Sequence, residues 1–278
     1  MRAGFFMFVL ALSTPASLSA SNVERSIRPE MRPSVAVKPV KLTTNIRPTA
    51  RPTVITKERK VTPEAILAAT SNAGFKRWIS GFRGRALKAG IKASSFERSF
   101  REVQYLPKVI ERDRNQSEFT KTIWEYLDSA ASDKRIANGK AALQQHLAKL
   151  NAIEAKYGVE KEVVTAVWGL ESAYGEFRGD TPIISALATL SYDGRRGRFF
   201  ESQLIAALKI LQAGDTSPDN MTGSWAGAMG HTQFIPTSYL EYAVDFTGDG
   251  RRDIWADDPS DALASTAAYL SRFGWQKG

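Results

Sequence analysis

A single glutamate occupies a position where an acidic side chain is unusual, in the segment VWGLESAYG at residues 167–175. Glu171 lies on an apolar stripe with Val164 and Trp168, which recur at helical spacing. On such a face a carboxyl group is either desolvated or opens into a cleft. Desolvation disfavours the charged form and raises the pKa, as a general acid working near neutral pH requires. The structural alternative is a glutamate paired with an arginine, or one solvated at a helix end.

Two other segments carry polar groups that suit a carbohydrate ligand. In GSWAGAMGHTQFIPTSY, at residues 223–239, Ser224 and Gln233 offer neutral hydrogen-bonding groups for hydroxyl and N-acetyl groups. In ISALATLSYDGRRGRFF, the adjacent Arg195 and Arg196 suit a clamp on carboxylates. Both segments also have a structural interpretation, the first as a tightly packed loop before a helix and the second as two solvated arginines.

The segment DFTGDGRRDIW, at residues 245–255, matches the opening of an EF-hand calcium loop. Asp245, Thr247 and Asp249 stand at ligand positions, and a glycine follows at the sixth position. The twelfth position, normally glutamate, is Ala256, so the usual loop is broken. Asp261 is one of three aspartates just beyond that suit the closure of a lengthened loop. A turn of aspartates and glycines without metal is equally compatible with this pattern.

Other residue types narrow the chemistry further. The histidines are His146 and His231 alone, and cysteine is absent, which excludes a three-histidine zinc site, a thiolate metal site and disulfides. No glycine-rich phosphate loop with a Lys-Ser or Lys-Thr ending precedes a helix. Aromatic residues that suit stacking on sugar rings, or packing in a core, are Tyr126, Trp225, Tyr239 and Tyr269.

Helical periodicity dominates the chain after about residue 63, so we predict a mainly α fold with little sheet. Alternating polar and apolar runs, which would indicate strands, are scarce. The predicted helices cover residues 75–87, 96–109, 119–136, 143–157, 160–174, 199–212, 237–244 and 261–273.

The first 62 residues have a different character. Residues 1–20 combine an early arginine, a short apolar run and small residues, which predicts a cleaved signal peptide. Residues 21–62 hold ten basic and three acidic residues with five prolines, which predicts a disordered basic linker. This segment accounts for most of the net charge of +9, so the charge does not indicate a nucleic-acid-binding domain. We expect the linker to act as a spacer with weak attachment to an anionic polymer.

Five segments together resemble the lytic murein transglycosylase B family, glycoside hydrolase family 103. They are WGLESAYG, ALATLSY, GSWAGAMGHTQFIPTSY, AVDFTGDGRRDIW and DALASTAAYLSRFGW, in the family's order. The resemblance covers roughly residues 70–278. It implies a lysozyme-like helical catalytic core with a flanking helical domain, and it assigns residues 63–278 to the catalytic region. Family members usually continue beyond the FGW motif, so the groove of this chain is expected to lack part of one wall.

The resemblance also assigns roles to individual residues. Glu171 matches the family's single catalytic acid and base. The expected substrate-binding residues are Ser224, Gln233, Met229, Tyr126, Tyr269, Arg195 and Arg196. The expected calcium ligands are Asp245, Thr247, Asp249, the carbonyl of Arg251, and Asp261.

The implied reaction is cleavage of the β-1,4 bond between N-acetylmuramic acid and N-acetylglucosamine. Glu171 protonates the leaving oxygen and then takes the proton of the C6 hydroxyl, which attacks C1 to form a 1,6-anhydro ring. One carboxylate fits neither standard two-carboxylate glycosidase scheme. The alternatives are a hydrolytic muramidase, for which Asp193 is the nearby second carboxylate, and an inactive peptidoglycan-binding protein.

The resemblance and the composition together define the expected surroundings of the protein. We expect peptidoglycan glycan strands as the partner, possible contacts with other cell-wall enzymes, and a monomer. Neither nucleic acid nor an organic cofactor is expected, whereas structural Ca²⁺ is. No segment of the sequence is long and apolar enough to be a transmembrane helix. The signal peptide and the absence of a cysteine for lipidation predict a soluble, exported periplasmic protein.

Overall fold

The computed structural model describes residues 63–115 and 122–278, with side chains from residue 73 onward. The predicted signal peptide at 1–20 and linker at 21–62 therefore lie outside the described residues. The helices of the described residues are α1 (Pro63–Lys88), α2 (Ala93–Phe100), α3 (Pro107–Arg114), α4 (Ile123–Ala130), α5 (Asp133–Gln145), α6 (Leu147–Tyr157), α7 (Lys161–Ser172), α8 (Ile183–Asp193), α9 (Gly197–Ala213), α10 (Pro236–Tyr242) and α11 (Ser260–Arg272). Two short strands, β1 (Thr181–Pro182) and β2 (Thr222–Gly223), accompany them.

The prediction of a mainly helical chain is confirmed. Individual predicted helices that correspond to single observed helices are those at 75–87, 160–174, 199–212, 237–244 and 261–273.

The predicted helix at 96–109 is wrong as a single helix, because it is interrupted between α2 and α3. Pro107 has no backbone N–H and suits the first position of a new helix, where that donor would be unsatisfied in any case. The preceding residue, Leu106, donates its backbone N–H to Thr189 Oγ1 at 3.1 Å. The connection between α2 and α3 is thus bonded to α8 instead of continuing a helix.

The predicted helices at 119–136 and 143–157 are interrupted as well. The first covers α4 and the start of α5, which are separated at Ala131 and Ser132, and its residues 119–121 lie outside the described residues. Thr122 and Glu125 form a capping box that begins α4: Thr122 Oγ1 accepts from the backbone N–H of Glu125, whose side chain accepts from the backbone N–H of Thr122. At His146 the backbone leaves helical geometry, so α5 ends and α6 begins there. Helical periodicity in the sequence did not reveal either interruption.

Helix α8 was missed in the sequence, for a physical reason. Nine consecutive residues, from Ile183 to Ser191, are buried. A helix that is buried on all sides shows no apolar stripe with a polar opposite face, and the stripe is the signal on which helix prediction relies. Among the helices of residues 63–115 and 122–278, none combines the length and the apolar character that a membrane-spanning helix needs.

The larger hydrophobic cluster forms around α8. This helix packs against α9, α3 and α1, and the side chains of Leu187, Leu190, Leu204 and Leu208 are buried there. Full burial of each such side chain contributes about 1.5–3 kcal/mol to the free energy of unfolding. The cluster therefore fixes the frame on which the connecting loops are placed.

A second cluster fixes α7. Val164 and Trp168 of α7 are buried against Leu150 and Ile153 of α6 and Leu263 of α11. Helix α5 packs against another side of α7. With neighbours on these sides, the C-terminal end of α7 has little freedom to move.

The two strands join the segment after α7 to the segment before α10. They pair in antiparallel fashion, with Thr181 opposite Gly223 and Pro182 opposite Thr222. Isolated bridges continue from Gly223 to Met229 and from Met229 to Phe234. The small sheet agrees with the prediction of little β structure, and it brings residues 222–234 against the end of the α7 segment.

Candidate active site

Glu171 lies in the last turn of α7, directly before Ser172, the last residue of the helix. Its side chain is half-buried, and it makes no hydrogen bond or ion pair with the described residues. Burial raises the pKa of Glu171 to about 8. A carboxyl group with such a pKa carries its proton at pH 7, as a general acid must.

The chain leaves α7 in a strained conformation. Ala173 and Tyr174 have φ values of 51° and 63°, in the left-handed region that favours glycine. The backbone N–H of Ala173 donates to Gly169 O at 3.0 Å, and that of Tyr174 donates to Trp168 O at 3.3 Å. The bond from Ala173 to Gly169 is that of an αL C-cap, here without its usual glycine. Such backbone conformations cost about 1–3 kcal/mol each and cluster at functional sites.

Ser172 fastens the end of α7 to the loop that follows β2. Its buried hydroxyl donates to the carbonyl oxygen of His231 at 2.5 Å and accepts from the backbone N–H of Gly175 at 3.0 Å. The serine after the acid in the ESAYG segment is thus a structural anchor. It holds residues 224–233 beside the helix that carries Glu171.

Tyr174 braces the same helix end from the other side. Its hydroxyl donates to Arg135 O of α5 at 2.8 Å, and Arg135 Nη1 donates to Gly169 O. The ring lies so close to α7 that a Cβ at Gly169 would stand 2.5 Å from Tyr174 Cζ. Glycine is therefore required in the WGLES segment for the tyrosine to pack.

His231 and Trp168 belong to the same group of bonded residues, although sequence analysis assigned neither of them a site role. His231 is 4% exposed. Its Nδ1 accepts a hydrogen bond from Trp168 Nε1 at 3.2 Å, and its Nε2 lies 2.7 Å from Ala256 O. An indole N–H can only donate and a carbonyl can only accept, so the proton is on Nε2 and the imidazole is neutral. The sequence did not indicate this role, because the partners of His231, Trp168 and Ala256, are distant from it in the chain.

The side-chain amide of Gln233 is bonded to the loop through its nitrogen, whereas its oxygen makes no hydrogen bond with the described residues. Its Nε2 donates to Gly230 O at 2.8 Å and to Arg178 O at 3.1 Å. Its Oε1 is buried and has no hydrogen-bond partner in the described residues. Gln233 also has a φ of 53°, the third left-handed non-glycine residue of the described chain. A fixed amide with an unsatisfied acceptor is suited to a donor on a ligand.

Ser224 is fixed by the turn that it begins. Its backbone N–H donates to Ala228 O at 2.7 Å, and its Oγ accepts from the backbone N–H of Ala228 at 3.0 Å. The residue is buried. The hydroxyl therefore has one established role, which is to hold the glycine-rich turn in shape.

Met229 and Tyr269 occupy different environments. Met229 is fully buried in the core around α8, where its backbone N–H donates to Phe234 O. Tyr269 of α11 is half-buried and meets the ring of Phe234 edge-on, with centroids 6.0 Å apart. Of these two predicted binding residues, Tyr269 alone presents side-chain surface to a ligand.

Tyr126 lies on α4, away from the core. It lines an apolar groove of about 450 Å³ between α4, α5 and α7, together with Leu127, Ile136 and Leu170. Leu170 directly precedes Glu171, so the groove adjoins the helix end that carries the acid. The position of Tyr126 agrees with contact to an extended ligand.

The predicted arginine clamp engages the protein's own carboxylate. Arg195 donates from Nε to Asp113 Oδ2 at 2.6 Å and from Nη2 to Asp113 O at 2.6 Å. Arg196 lies 3.9 Å from the same carboxylate and over the ring of Phe200. Asp113 is buried, so losing this partner would leave a buried charge uncompensated. In the structure, both arginines tie α3 to the turn between α8 and α9.

The acidic loop 245–261 folds around its own backbone donors. Oxygen atoms of Asp245, Asp249 and Asp261 lie within 4.8 Å of one another. Asp245 accepts from the backbone N–H groups of Gly248 and Gly250 at 2.7 and 2.9 Å. Convergent carboxylate oxygens at this separation suit a hard cation such as Ca²⁺.

Asp261 closes this loop. It is buried and accepts from the backbone N–H groups of Phe246, Thr247 and Asp253 at 2.9, 3.1 and 3.0 Å. Burial raises the pKa of Asp261, and the nearby charge of Asp245 acts in the same direction. A cation placed between the two would relieve that unfavourable pairing.

The other predicted calcium ligands, Thr247 and Arg251, are hydrogen-bonded to aspartates of the same loop. Thr247 Oγ1 donates to Asp245 Oδ1 at 3.4 Å, and the backbone N–H of Arg251 donates to Asp249 Oδ1 at 2.9 Å. The two aspartates before α11 face elsewhere: Asp257 pairs with Arg178 and Asp258 with Lys149. Of the three aspartates that suited closure in the sequence, the structure brings only Asp261 to the cluster.

Together these features define a class of protein. A helical fold that carries one protonated, unpartnered acid at a helix end, beside fixed amide and hydroxyl groups, is typical of lysozyme-like proteins. The comparison with known families agrees: the model of the transglycosylase SLT domain matches residues 74–278. The chain belongs to this family, and its fold is the mainly helical, lysozyme-like fold of transglycosylases.

Solved structures and a curated relative support the assignment. SltB3 from Pseudomonas aeruginosa, in complex with NAG-NAM-pentapeptide, is 52% identical with a TM-score of 0.71, over 73% of this chain and 54% of SltB3. Membrane-bound lytic murein transglycosylase B of Escherichia coli K12 is 42% identical over 144 residues, which are 51% of this chain and 39% of that protein. The chain thus spans well under two thirds of either relative.

A third relative bears on the acidic loop. The lytic transglycosylase Slt35 of Escherichia coli, in a structure with calcium, is 33% identical with a TM-score of 0.64, over 74% of this chain and 65% of Slt35. That structure shows that a member of this fold binds calcium.

Proposed function

We propose that this protein is a lytic transglycosylase that cleaves the β-1,4 bond between N-acetylmuramic acid and N-acetylglucosamine in peptidoglycan and leaves a 1,6-anhydro-muramic acid end. The observation that carries the proposal is Glu171: its pKa is raised to about 8 by burial, and no carboxylate or arginine of the described residues pairs with it. One acid without a second carboxylate suits a reaction in which no water is activated.

The first step is proton donation. Glu171 holds its proton at neutral pH and delivers it to the glycosidic oxygen as the bond to C1 breaks and an oxocarbenium-like state develops. The pKa of Glu171 near 8 lies close to neutral pH, where a group both carries and releases a proton efficiently.

The second step reverses the role of the same group. Ionised Glu171 is in a desolvated position and is therefore a strong base. It takes the proton of the C6 hydroxyl while that oxygen bonds to C1, which restores the acid and closes the anhydro ring. The attack is intramolecular and gains from proximity. The N-acetyl group of the substrate is expected to stabilise C1, as the family resemblance implies.

Neighbouring residues orient the sugar. Gln233 Oε1, the buried acceptor without a partner, suits an N–H or hydroxyl donor of the glycan. Tyr269 and Tyr126 present aromatic surface, and Ser224 holds the glycine-rich turn that lets backbone approach the ligand. The relative SltB3 was crystallised with NAG-NAM-pentapeptide, which supports a muropeptide as ligand of this chain.

Hydrolysis is the less favoured alternative. It needs a second carboxylate to activate water, and the candidate Asp193 is bound by Arg114 Nη2 at 2.6 Å. Asp193 also ends α8, about 15 Å along the helix axis from the β1 end of that helix. These two facts favour a structural role for Asp193.

We propose further that loop 245–261 holds Ca²⁺. Its ligands would be Asp245, Thr247, Asp249, the carbonyl of Arg251, and Asp261. The cation would neutralise converging carboxylates and stabilise the loop before α11. Export to the periplasm, inferred from residues 1–20, remains part of the proposal.

The experiment is digestion of peptidoglycan sacculi with the purified full chain, followed by mass spectrometry of the products. We expect muropeptides that end in anhydro-muramic acid, each lighter by one water than a hydrolytic product. Reducing ends as the main product would contradict the proposal and show that the protein is a hydrolytic muramidase. Sedimentation of the protein with sacculi and no released product would indicate an inactive binding protein.

A further inference from the structure

The end of α7 depends on a hydrogen-bonded chain through His231 that the reaction itself does not use. The side chain of His231 accepts from Trp168 Nε1 and donates to Ala256 O, at 3.2 and 2.7 Å. Its backbone carbonyl accepts from Ser172 Oγ at 2.5 Å. Trp168 and Ser172 stand three residues before and one residue after Glu171. His231 therefore holds α7 on both sides of the acid.

We propose that His231, as the neutral imidazole with its proton on Nε2, is a positioning residue that sets the place of Glu171 through Trp168. The inference rests on the proposed function, because it concerns the rate of that reaction. Trp168 is 3% exposed and lies between His146, Tyr174 and His231, so a shift of the indole must shift α7. A general acid acts over hydrogen-bond distances, and a displacement of about 1 Å costs up to a hundredfold in rate.

Protonation would break this arrangement. A proton on Nδ1 would face the indole N–H of Trp168, so two donors would meet where a donor and an acceptor meet now. The charged and titratable neighbours are Arg178, whose Nη1 is 3.3 Å from Nε2, Asp257, and His146. Burial lowers the pKa of His231 below its ordinary 6.5; Arg178 and His146 act in the same direction and Asp257 opposes them.

The consequence is an acid limb in the pH profile that does not belong to Glu171. Glu171 is protonated throughout the acidic range and stays competent as an acid there. Below the pKa of His231, kcat should fall to a plateau about five- to tenfold lower, the size of one neutral hydrogen bond, while KM stays unchanged. KM is preserved because the substrate-binding groups are not moved, whereas the acid is.

Two substitutions separate the two hydrogen bonds of the imidazole. His231→Asn places a side-chain oxygen near the position of Nδ1 and keeps an acceptor for Trp168. His231→Gln reaches the position of Nε2 and keeps a donor for Ala256 O. We expect His231→Gln to lower kcat about five- to tenfold, the size of one neutral hydrogen bond. His231→Asn should restore kcat to within about threefold and remove the acid limb.

Two further variants identify the route. Trp168→Phe should lower kcat as His231→Gln does, and the double variant should lose little more, because both remove the same bond. His146→Gln is the matched control: this other histidine also touches the Trp168 ring, at 5.4 Å between centroids, without a hydrogen bond to it. Its kcat should equal that of the wild type, and its acid limb should persist, shifted to slightly higher pH because His146 lowers the pKa of His231.

The outcomes are distinct. An acid limb that persists in His231→Asn, or that disappears in His146→Gln, would overturn the positioning role, as would additive losses in the double variant. A ¹⁵N NMR spectrum of the full chain, assigned with His146→Gln, should show His231 protonated on Nε2 at pH 7. That spectrum is read without substrate. A wild type that makes no anhydro product would therefore contradict the proposed function separately from the geometry of His231.

Discussion

Two carboxyl groups of this protein, the half-buried Glu171 and the buried Asp261, have opposite surroundings. Burial raises the pKa of each. The side chain of Asp261 accepts three backbone N–H bonds, whereas the side chain of Glu171 has no hydrogen bond with any described residue. The carboxyl group of Glu171, which we propose binds and releases a proton, has no donors that would hold it ionised, whereas the carboxyl group of Asp261, which organises a loop, is surrounded by donors.

The backbone is strained in the region of Glu171 and unstrained in the loop of Asp261. The loop with Asp261 turns at Gly248 and Gly250, whose positive φ values cost glycine little. The helix end with Glu171 turns at Ala173 and Tyr174, which are strained at comparable φ. The strain is sustained by the backbone hydrogen bonds of Ala173 and Tyr174 to the last turns of α7, and by Ser172 and His231. The acid region therefore keeps its shape through packing, whereas the acidic loop turns without strain because glycine occupies its positive-φ positions.

The sharpest test of the difference is Glu171→Gln. The substitution keeps shape and removes only the transferable proton, so we expect activity to fall at least about a hundredfold with the fold intact. Release of anhydro-muropeptides from sacculi measures the activity, and circular dichroism measures the fold. Glu176→Gln, at an exposed glutamate five residues later, is the control and should have normal activity. Near-normal activity of a folded Glu171→Gln protein would remove Glu171 from the mechanism.

The raised pKa of Glu171 predicts two pH effects. Activity should fall about tenfold per unit above pH 8, because the acid is then ionised. Folding shifts the pKa upward from 4.5, so ionisation opposes folding, and the free energy of unfolding should fall between pH 4.5 and 8 by on the order of 3 kcal/mol.

Urea unfolding of the wild type and of Glu171→Gln across this pH range isolates the second effect. The variant should lack this component of the pH dependence and be the more stable protein above neutral pH. Parallel stability curves for the two proteins would mean that Glu171 is solvated and that its pKa is ordinary.

Gly169→Ala tests whether the acid region is held by packing. A methyl group there would stand 2.5 Å from the ring of Tyr174, so we expect the free energy of unfolding to fall by about 1–3 kcal/mol. Gly84→Ala in α1 is the matched control, since a Cβ there meets nothing within 4 Å, and helix propensity should raise stability by up to about 1 kcal/mol. Equal effects of the two substitutions would show that Tyr174 does not constrain α7.

The sequence predicted one particular residue, Glu171, in the acid region, but only a group of candidate residues for closing the acidic loop. Glu171 was found because one charge on an apolar stripe is visible in periodicity alone. Asp261 was found only as one of three aspartates, because an interrupted loop does not determine which carboxylate returns to it. His231 and Trp168 were missed, since their role arises from contacts between segments far apart in the chain. For Arg195 and Arg196 the sequence indicated binding of a carboxylate, but it did not indicate that this carboxylate is the buried Asp113 of the protein itself.

The acidic loop supplies the smallest expected effect, a shift in thermal unfolding with calcium. A cation in the proposed site would bind the native state only, so calcium at a few times Kd should raise the free energy of unfolding by about 1 kcal/mol, or the melting temperature by roughly 2–4 °C. Loops of extracytoplasmic proteins bind calcium with Kd on the order of 0.1–1 mM, so millimolar calcium is sufficient. Asp249→Asn removes one charge from the exposed side of the cluster and leaves Asp261 and its three donors in place. It should weaken the thermal response while activity at low temperature changes little, because the proposed acid, Glu171, lies on α7 and outside this loop. Melting curves that superimpose in calcium and in chelator would mean that the aspartates serve only their own backbone, and that the loop is a turn without metal.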